Sequence, residues 1–306
     1  MSLITVASQS FPPKSKFAVD DIPDLSGQVI IVTGSNTGVG FEIAKALLAH
    51  NAKVYIAARS QAKAEAAIEQ LQQLTGKKGI FLKLDLASLK AVKSAAEEFL
   101  SKEKELHVLF NNGGVMAPPI EDITADGYDL QFGTNVLGHF YFTKLLLPAL
   151  IVAAQSTVHP RSRRARCQCL ICGTSFRKPA FQYFQRWTSK EEIGYSTAGN
   201  VVFATELARR YGDQGIVSTS LHPGSLTSEL QRHLGSILKF LLSLFAKDVS
   251  YGALTPLWAG VSPEGKDLNG KYLIPWARIA SARKDSQDPA TGKELWTWLD
   301  EQVKDV

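Results

Sequence analysis

A segment that runs from a strand through a glycine-rich turn into a helix constrains this chain most. "GQVIIVTG" (27–34) is rich in Val and Ile and ends in glycine, and "FEIAKALLAHNA" (41–52) has helical periodicity with a stop near Asn51. Between them Thr33, Gly34, Gly38 and Gly40 form the pattern T-G-x-x-x-G-x-G. Glycines allow the tight turn and let backbone N–H groups approach a pyrophosphate, whose charge the helix N-terminus favours. A glycine cluster in this setting predicts a dinucleotide site that also includes Ser35, Asn36 and Val39; the alternative is a tight turn without a ligand.

Strands and helices continue to alternate after this segment. The patterns predict strands within 52–60, 79–86 and 106–114, separated by helices within 62–74 and 89–102, then a long helix within 127–154. A helix at 200–212, a strand at 216–224, an apolar helix near 237–246 and a strand at 271–276 follow. Such alternation favours right-handed crossovers and a parallel sheet covered on both faces. The prediction is an α/β, doubly wound, mostly parallel Rossmann sheet in a single domain, 27–306, after an N-terminal extension, 1–26.

The residue after the second strand bears on cofactor choice. A dinucleotide site that prefers NAD usually ends this strand with Asp or Glu, whereas an arginine suits the 2′-phosphate of NADP. Here the strand ends in Ala58-Arg59-Ser60. Arg59 therefore favours NADP(H) over NAD, although an arginine at a strand end is also an ordinary solvated residue.

Together these residues resemble the short-chain dehydrogenase/reductase family, particularly its fungal and retinol-dehydrogenase-like members, from about Gly27 to Trp276. "LDL" (84–86) is similar to the family's adenine-contacting segment, "NNGG" (111–114) to its motif at the end of the fourth strand, and "HPG" (222–224) to its loop beside the nicotinamide. "TNVLGHF" carries Asn135, which matches the family's catalytic asparagine, and Ser228 or Thr227 matches its threonine. The cofactor contacts that the resemblance implies are Asp85, Leu86, Asn111, Asn112, Gly113, Gly114, Pro223 and Gly224.

The resemblance also implies a reaction. A hydride moves between C4 of the nicotinamide and a carbonyl carbon or its alcohol, and the protein supplies a proton to the oxygen. A tyrosine phenol can do so near neutral pH if a neighbouring lysine lowers its pKa from about 10, and a serine holds the substrate oxygen. The family pattern is Y-x-x-x-K, whose four-residue spacing places both side chains on one helical face. Tyr195 is the candidate tyrosine of this chain, and the alternative is a packed or surface tyrosine with no catalytic role.

The sequence departs from this pattern at the lysine and at the serine. Aligned on Tyr195, the lysine position is Gly199; aligned on "AGNVVF", the lysine position is Thr197 and the tyrosine position is Ile193. The usual serine site falls on Cys172, and Thr174 or Ser175 serve only with a gap. A phenol without a lysine keeps a high pKa, so impaired turnover is expected. The alternative is a non-catalytic NADP(H)-binding protein that senses or scaffolds.

An anomalous segment, 158–196, precedes the missing lysine. It holds eight Lys or Arg against two Glu, a net +6 within a chain of net +5, and all three cysteines. The cysteines lack further ligands nearby, so no metal is expected, and a basic patch is more often a solvated face than a nucleic-acid site. Displacing the reading frame by one nucleotide through 164–172 permits Ala-Arg-Val-Val-Asn-Val-Ser-Ser-Ala, an apolar strand that ends in two serines. We therefore hypothesise that this segment is frame-shifted or mis-spliced; as written, "RSRRAR" (161–166) would have to stay at the surface and "CLIC" (169–172) could form a strand.

The remaining expectations concern substrate and location. The substrate is a small-molecule alcohol or carbonyl, and it is lipophilic if "ILKFLLSLF" (237–245) forms the family's substrate lid rather than a core helix. Dimers or tetramers are common among such proteins, but no residue here demonstrates a homo-oligomer. The longest apolar runs, 145–154 and 237–246, have about half the ~20 residues of a membrane span, and the N-terminus lacks a secretory signal. No transmembrane segment is expected, and the cytoplasm is the expected location.

Overall fold

The computed structural model describes residues 12–156, 165–170, 193–226 and 247–306. Its centre is a sheet of strand order β3-β2-β1-β4-β5-β6-β7-β8 in which every neighbouring pair is parallel except β7 with β8. The fold prediction is confirmed. The strands are β1 Val29–Thr33, β2 Lys53–Ala58, β3 Ile80–Lys83, β4 Val108–Asn111, β5 Ala165–Leu170, β6 Ile216–Leu221, β7 Tyr272–Ile274 and β8 Arg278–Ala280.

Helices cover both faces of the sheet. Alternate residues of a strand point to opposite faces, and β1 shows this directly, because Ile31 belongs to one hydrophobic cluster whereas Ile30 and Val32 belong to the other. The helices are α1 Gly38–Ala49, α2 Gln61–Thr75, α3 Leu89–Lys102, α4 Leu130–Gln155, α5 Ile193–Tyr211, α6 Val249–Val261 and α7 Pro289–Gln302. The first cluster includes residues of α3, α4, α5 and α7, and the second includes residues of α1, α2 and α6.

Helix α4 is unusually apolar. Within the described ranges it is the one helix long and apolar enough to span a membrane, with a mean hydropathy of 1.7, yet 72% of its most apolar window is buried inside the chain. It contains a π-helical turn at Gly133–Gly138, and its long α-helical part runs from His139 to Gln155. Its apolar side chains therefore form core rather than surface.

Two segments join the core although the sequence patterns did not assign them to it. Phe17 and Leu25, within the predicted N-terminal extension, are buried in the second cluster. Helix α7 lies beyond the last predicted element and docks through Trp296, whose ring lies 5.0 Å from that of Phe140 and 4.7 Å from the guanidinium of Arg210. The domain thus includes chain on both sides of the region that the motifs marked out.

Strand β5 corrects one expectation about the anomalous segment. It spans Ala165–Leu170 between β4 and β6, so Arg166 lies in the middle of the sheet rather than at the surface. The Arg166 guanidinium donates to the Gly260 carbonyl oxygen at 2.6 Å, near the C-terminus of α6, where a helix favours a cation. Burial lowers the pKa of Arg166 to about 10, so the side chain stays cationic at neutral pH. The expectation that all of "RSRRAR" remains at the surface is therefore wrong for its last residue.

Candidate dinucleotide site at the switch point of the sheet

The glycine-rich turn lies where the strand order reverses. β1 pairs with β2 on one side and with β4 on the other, so the connections after β1 and β4 leave the sheet in opposite directions. In an open parallel sheet the crevice at such a switch point is where ligands bind. The turn after β1 (34–38) and "NNGG" after β4 border this crevice.

Two glycines of the motif, Gly34 in the turn and Gly40 in the first turn of α1, are required by close packing. A Cβ added to Gly34, whose φ is +64°, would lie 2.7 Å from Gly113 Cα. A Cβ on Gly40 would lie 2.5 Å from both Asn112 Nδ2 and the Gly34 carbonyl oxygen. Real Cβ atoms do not approach so closely, so any other residue would push apart the loops that follow β1 and β4.

Gly38 is required for a different reason. Its φ is +62°, but a Cβ added there would meet no atom within 4 Å. It begins α1, whose N-cap residue Thr37 makes no side-chain capping bond and whose first turn holds no acidic residue. Open space at an uncapped helix N-terminus suits a phosphate group.

Thr33 joins the two loops. Its hydroxyl oxygen accepts hydrogen bonds from the backbone N–H of Asn112 at 2.9 Å and of Gly113 at 2.8 Å, and the Asn112 side-chain amide donates to the Thr33 carbonyl at 2.8 Å. Ser35 Oγ donates to the Val32 carbonyl at 2.7 Å. Asn112 Oδ1 is buried and has no hydrogen-bond partner in the described chain. Among the described residues, the crevice thus offers an orphaned buried acceptor on Asn112 and free space at Gly38, which fits a dinucleotide.

The opposite end of the crevice carries the predicted adenine and ribose contacts. Asp85 Oδ1 accepts from the Ala87 backbone N–H at 3.0 Å, which turns the chain after β3. Leu86 is half-buried and packs against the first cluster. Arg59 follows β2, is exposed, and forms no ion pair within the described ranges. Its guanidinium is therefore available to a group that binds beyond β2.

The "HPG" loop follows β6. The Gly224 backbone N–H donates to His222 Nδ1 at 2.9 Å, and burial lowers the pKa of His222 to about 4, so this ring is neutral. Gly224 has a φ of +97°, and a Cβ there would lie 2.6 Å from the ring of Trp276. Gly224 thus packs closely against Trp276, a contact that the sequence did not reveal. Thr227 and Ser228 lie outside the described residues.

Asn135 lies in the π-helical turn and is buried. Its Oδ1 accepts from the Val115 N–H at 2.9 Å, and its Nδ2 donates to the Val115 carbonyl at 2.8 Å. Asn111, at the end of β4, donates to Thr143 Oγ1 of α4 at 2.9 Å. Asn111 and Asn135 therefore tie the end of β4 and the loop after it to α4.

The catalytic tyrosine and lysine positions fall on the first turns of α5. Tyr195 lies in this helix, but its side chain is outside the described residues. Gly199 is buried, and a Cβ there would lie 3.1 Å from Val136 Cγ2 of α4. A lysine at 199 would therefore meet the core. Thr197 precedes Val201 by four residues, and Val201 packs on Tyr272 of the sheet.

Other candidates of the anomalous segment are not placed. Two of the cysteines, Cys167 and Cys169, lie on β5, and the structure describes their backbone only. The other candidates of this segment, Cys172, Thr174 and Ser175, lie outside the described residues, and so does the possible lid, 237–245. In the described part of the chain no group of three or more His, Cys, Asp or Glu is arranged to hold a metal ion.

Comparisons with known proteins agree on one family. A family model described as short chain dehydrogenase matches residues 28–158. A short-chain dehydrogenase/reductase of Armillaria gallica is 54% identical over 310 residues, which cover 98% of this chain and 98% of the relative. Retinol dehydrogenase 12 of Mus musculus is 36% identical over 275 residues, which cover 89% of this chain and 85% of the relative.

Solved structures share the fold. An uncharacterized protein from Mycobacterium paratuberculosis, 24% identical, superposes with a TM-score of 0.72. The match covers 95% of this chain and 98% of that protein's chain. A second structure is a gluconate 5-dehydrogenase from Burkholderia cenocepacia in complex with NADP and tartrate, which is 18% identical and has a TM-score of 0.64. The match covers 85% of this chain and 97% of that enzyme's chain. At these identities the structures establish the architecture and nothing finer.

Proposed function

Because this chain belongs to the short-chain dehydrogenase/reductase family, we propose that it binds NADP(H) and descends from an enzyme that interconverts an alcohol and a carbonyl, with turnover reduced in the sequence as written. Members of the family are NAD(P)-dependent oxidoreductases, and the resemblance read from the motifs is confirmed. A bound nicotinamide would donate or accept the hydride. The observation that carries the proposal is the cradle at the switch point, where Gly38 leaves open space at the N-terminus of α1.

Arg59 supports NADP(H) rather than NAD(H). It is exposed at the end of β2, the strand whose last residues border the adenosine ribose in a dinucleotide fold. A guanidinium pairs well with a phosphate, whereas the NAD ribose hydroxyl is usually met by a carboxylate. Titration of the intact chain with NADPH and with NADH, followed by cofactor fluorescence, tests this. Tighter binding of NADPH is expected; equal affinities would remove the assignment of Arg59, and no binding of either would overturn the proposed function.

Reduced turnover follows from the missing lysine and serine. The Tyr195 phenol has no lysine one turn later on α5, so nothing in the pattern lowers its pKa from about 10 toward neutrality. Hydride transfer then lacks an efficient proton donor. Saturable NADPH affinity with slow aldehyde reduction is the expected result. Rapid turnover would contradict it, and affinity without any aldehyde reduction would favour the non-catalytic alternative.

A rescue experiment separates the two alignments of α5. In a common Cys172→Ser background, the double variant Ile193→Tyr with Thr197→Lys places tyrosine and lysine on the stripe that leads to Val201. The matched variant Gly199→Lys completes Y-x-x-x-K from Tyr195. We expect NADPH-dependent reduction of aliphatic aldehydes only from the double variant, because a lysine at 199 meets Val136. Rescue by Gly199→Lys alone would reverse this choice.

The second candidate is a non-catalytic NADP(H)-binding protein that senses or scaffolds. The absence of a lysine one turn after Tyr195 also favours this second candidate. The second candidate requires that the natural transcript encodes this amino-acid sequence unchanged. Sequencing the transcript across codons 157–200 decides between them. A frame that restores a serine pair and Y-x-x-x-K supports a conventional enzyme with a small alcohol or carbonyl substrate, lipophilic if 237–245 forms its lid; the unchanged frame supports the binding protein.

A further inference from the structure

A buried histidine, His139, contacts the candidate site; it lies in "TNVLGHF" four residues after Asn135, and the sequence analysis assigned it no role. It is 2% exposed and is the first residue of the α-helical part of α4, directly after the π-helical turn. Its Nε2 lies 2.9 Å from Thr33 Oγ1, and its Nδ1 lies 3.1 Å from the Asn135 carbonyl oxygen. One imidazole thus bridges the end of β1 and the turn that carries Asn135.

These partners determine where the ring carries its proton. A carbonyl oxygen only accepts, so Nδ1 must carry the hydrogen that the Asn135 carbonyl receives. Burial lowers the pKa of His139 to about 4, which keeps the ring neutral near pH 7. A neutral ring has one N–H, so Nε2 is bare and the Thr33 hydroxyl must donate to it.

This assignment fixes the orientation of the Thr33 hydroxyl. A hydroxyl has one proton and two lone pairs. When the proton points to His139, both lone pairs are free for the N–H groups of Asn112 and Gly113, at 2.9 and 2.8 Å. The Phe110 carbonyl, at 3.3 Å, is the competing acceptor for the proton. The imidazole offers the shorter contact, so all three bonds of the hydroxyl are satisfied at once.

We propose that His139 is a positioning residue that, through Thr33, holds the loops after β1 and β4 in the arrangement that receives the dinucleotide. His139 acts on the cofactor indirectly, through the hydroxyl of Thr33. This inference rests on the proposed function of the crevice. The same turn also fixes the far end of the β4 loop, because the Asn135 side chain holds both backbone groups of Val115. Loss of the ring's acceptor would free the Thr33 hydroxyl to rotate toward Phe110 and weaken its hold on residues 112 and 113.

Substitution of two buried histidines provides the test. His139→Phe keeps a ring of similar size and removes both bonds. His107→Phe is the matched control, because His107 is 3% exposed and accepts a bond from the Val29 N–H at the opposite end of β1. Both variants should unfold at lower urea concentration than the unsubstituted chain. Only His139→Phe should bind NADPH more weakly, by about tenfold, which is the effect of one or two lost hydrogen bonds.

Two further measurements keep the proposal testable if His139→Phe fails to fold. Thr33→Val removes the hydroxyl and should weaken NADPH binding by a similar factor, whereas Thr33→Ser should restore it; equal affinity of all three chains would overturn the proposal. Nitrogen-15 spectra of histidine-labelled chain report the tautomer directly. A neutral His139 with its proton on Nδ1 is expected, and a proton on Nε2 would also overturn it. If the unsubstituted chain binds neither NADPH nor NADH, the proposed function fails instead; if it binds and His139→Phe binds equally well, only the positioning role fails.

Discussion

Substitution of Gly38 by alanine separates the effect of backbone strain from the effect of ligand exclusion. Gly38 has a φ of +62° and no atom within 4 Å of an added Cβ. Gly76, which ends α2 with a φ of +71°, also has no atom within 4 Å of an added Cβ and lies beyond the last residue of α2, away from the glycine-rich turn. The two glycines thus match in their positive φ and in free space, and they differ in whether the crevice lies beside them.

The expected effect on folding is the same for both variants. Alanine in the left-handed region costs about 1–2 kcal/mol, and the reduced entropy of the unfolded chain returns about half of that. For a chain of this length, a net loss of about 1 kcal/mol lowers Tm by roughly 2 °C. Thermal unfolding of Gly38→Ala and Gly76→Ala should therefore give nearly equal shifts.

The expected effect on NADPH binding differs. At 38 the methyl group would occupy the space that we assign to the pyrophosphate and would displace it from the N–H groups of α1. Loss of one or two hydrogen bonds to a charged group weakens binding by roughly 10- to 100-fold. Fluorescence titration should show this loss for Gly38→Ala and unchanged affinity for Gly76→Ala. Equal affinities of the two variants would refute the assignment of the crevice.

Three further outcomes are expected. Arg59→Leu should weaken NADPH binding about tenfold and leave NADH binding unchanged. Lys77→Leu removes an equal charge at another exposed site and should change the affinity for neither cofactor. An equal loss of affinity for both cofactors in Arg59→Leu would argue against a 2′-phosphate contact. Trp296→Ala should lower the free energy of unfolding in urea by about 3–5 kcal/mol and leave the NADPH affinity unchanged. The control is Thr297→Ala, at an exposed position of the same helix. A loss of less than about 1 kcal/mol in Trp296→Ala would show that α7 is not part of the core. Burial lowers the pKa of His139 and of His222 to about 4, so the unfolded chain binds more protons than the folded chain between about pH 6.5 and 4. The folded state should therefore lose stability as the pH falls through that window, by up to about 3 kcal/mol per histidine. Urea midpoints that stay constant from pH 7 to pH 5 would contradict this.

Local patterns predicted the elements well where the physical cause is local. The periodicity of 41–52 and the stop near Asn51 correspond to α1, which ends at Ala49, with Asn51 at a φ of +69°. The glycine pattern predicted the turn because Gly34 and Gly38 both need a positive φ. The alternation of strands and helices predicted the sheet because a crossover between parallel strands permits one handedness.

The predictions were incomplete where an element depends on distant partners. No motif assigned helix α7, and its Trp296 is meaningful only because Phe140 and Arg210 lie beside it. The N-terminal extension was separated from the domain, yet Phe17 and Leu25 are buried against elements that follow it in the chain. Arg166 was expected at the surface because its charge is costly to bury, and the structure offsets that cost with the Gly260 carbonyl.

The sequence by itself determined the class of fold, the location of the dinucleotide turn and the absence of Y-x-x-x-K, because each depends on residue types at short spacing. The tertiary structure decided which distant residues meet: Thr33 contacts Asn112, and Thr33 also contacts His139, which lies over a hundred positions away along the chain. It also decided that position 199 faces Val136 of α4, a contact between residues that are far apart in the sequence. Side chains far apart in the chain become neighbours only when parallel strands place their carboxyl ends at one edge, and no local pattern encodes that proximity.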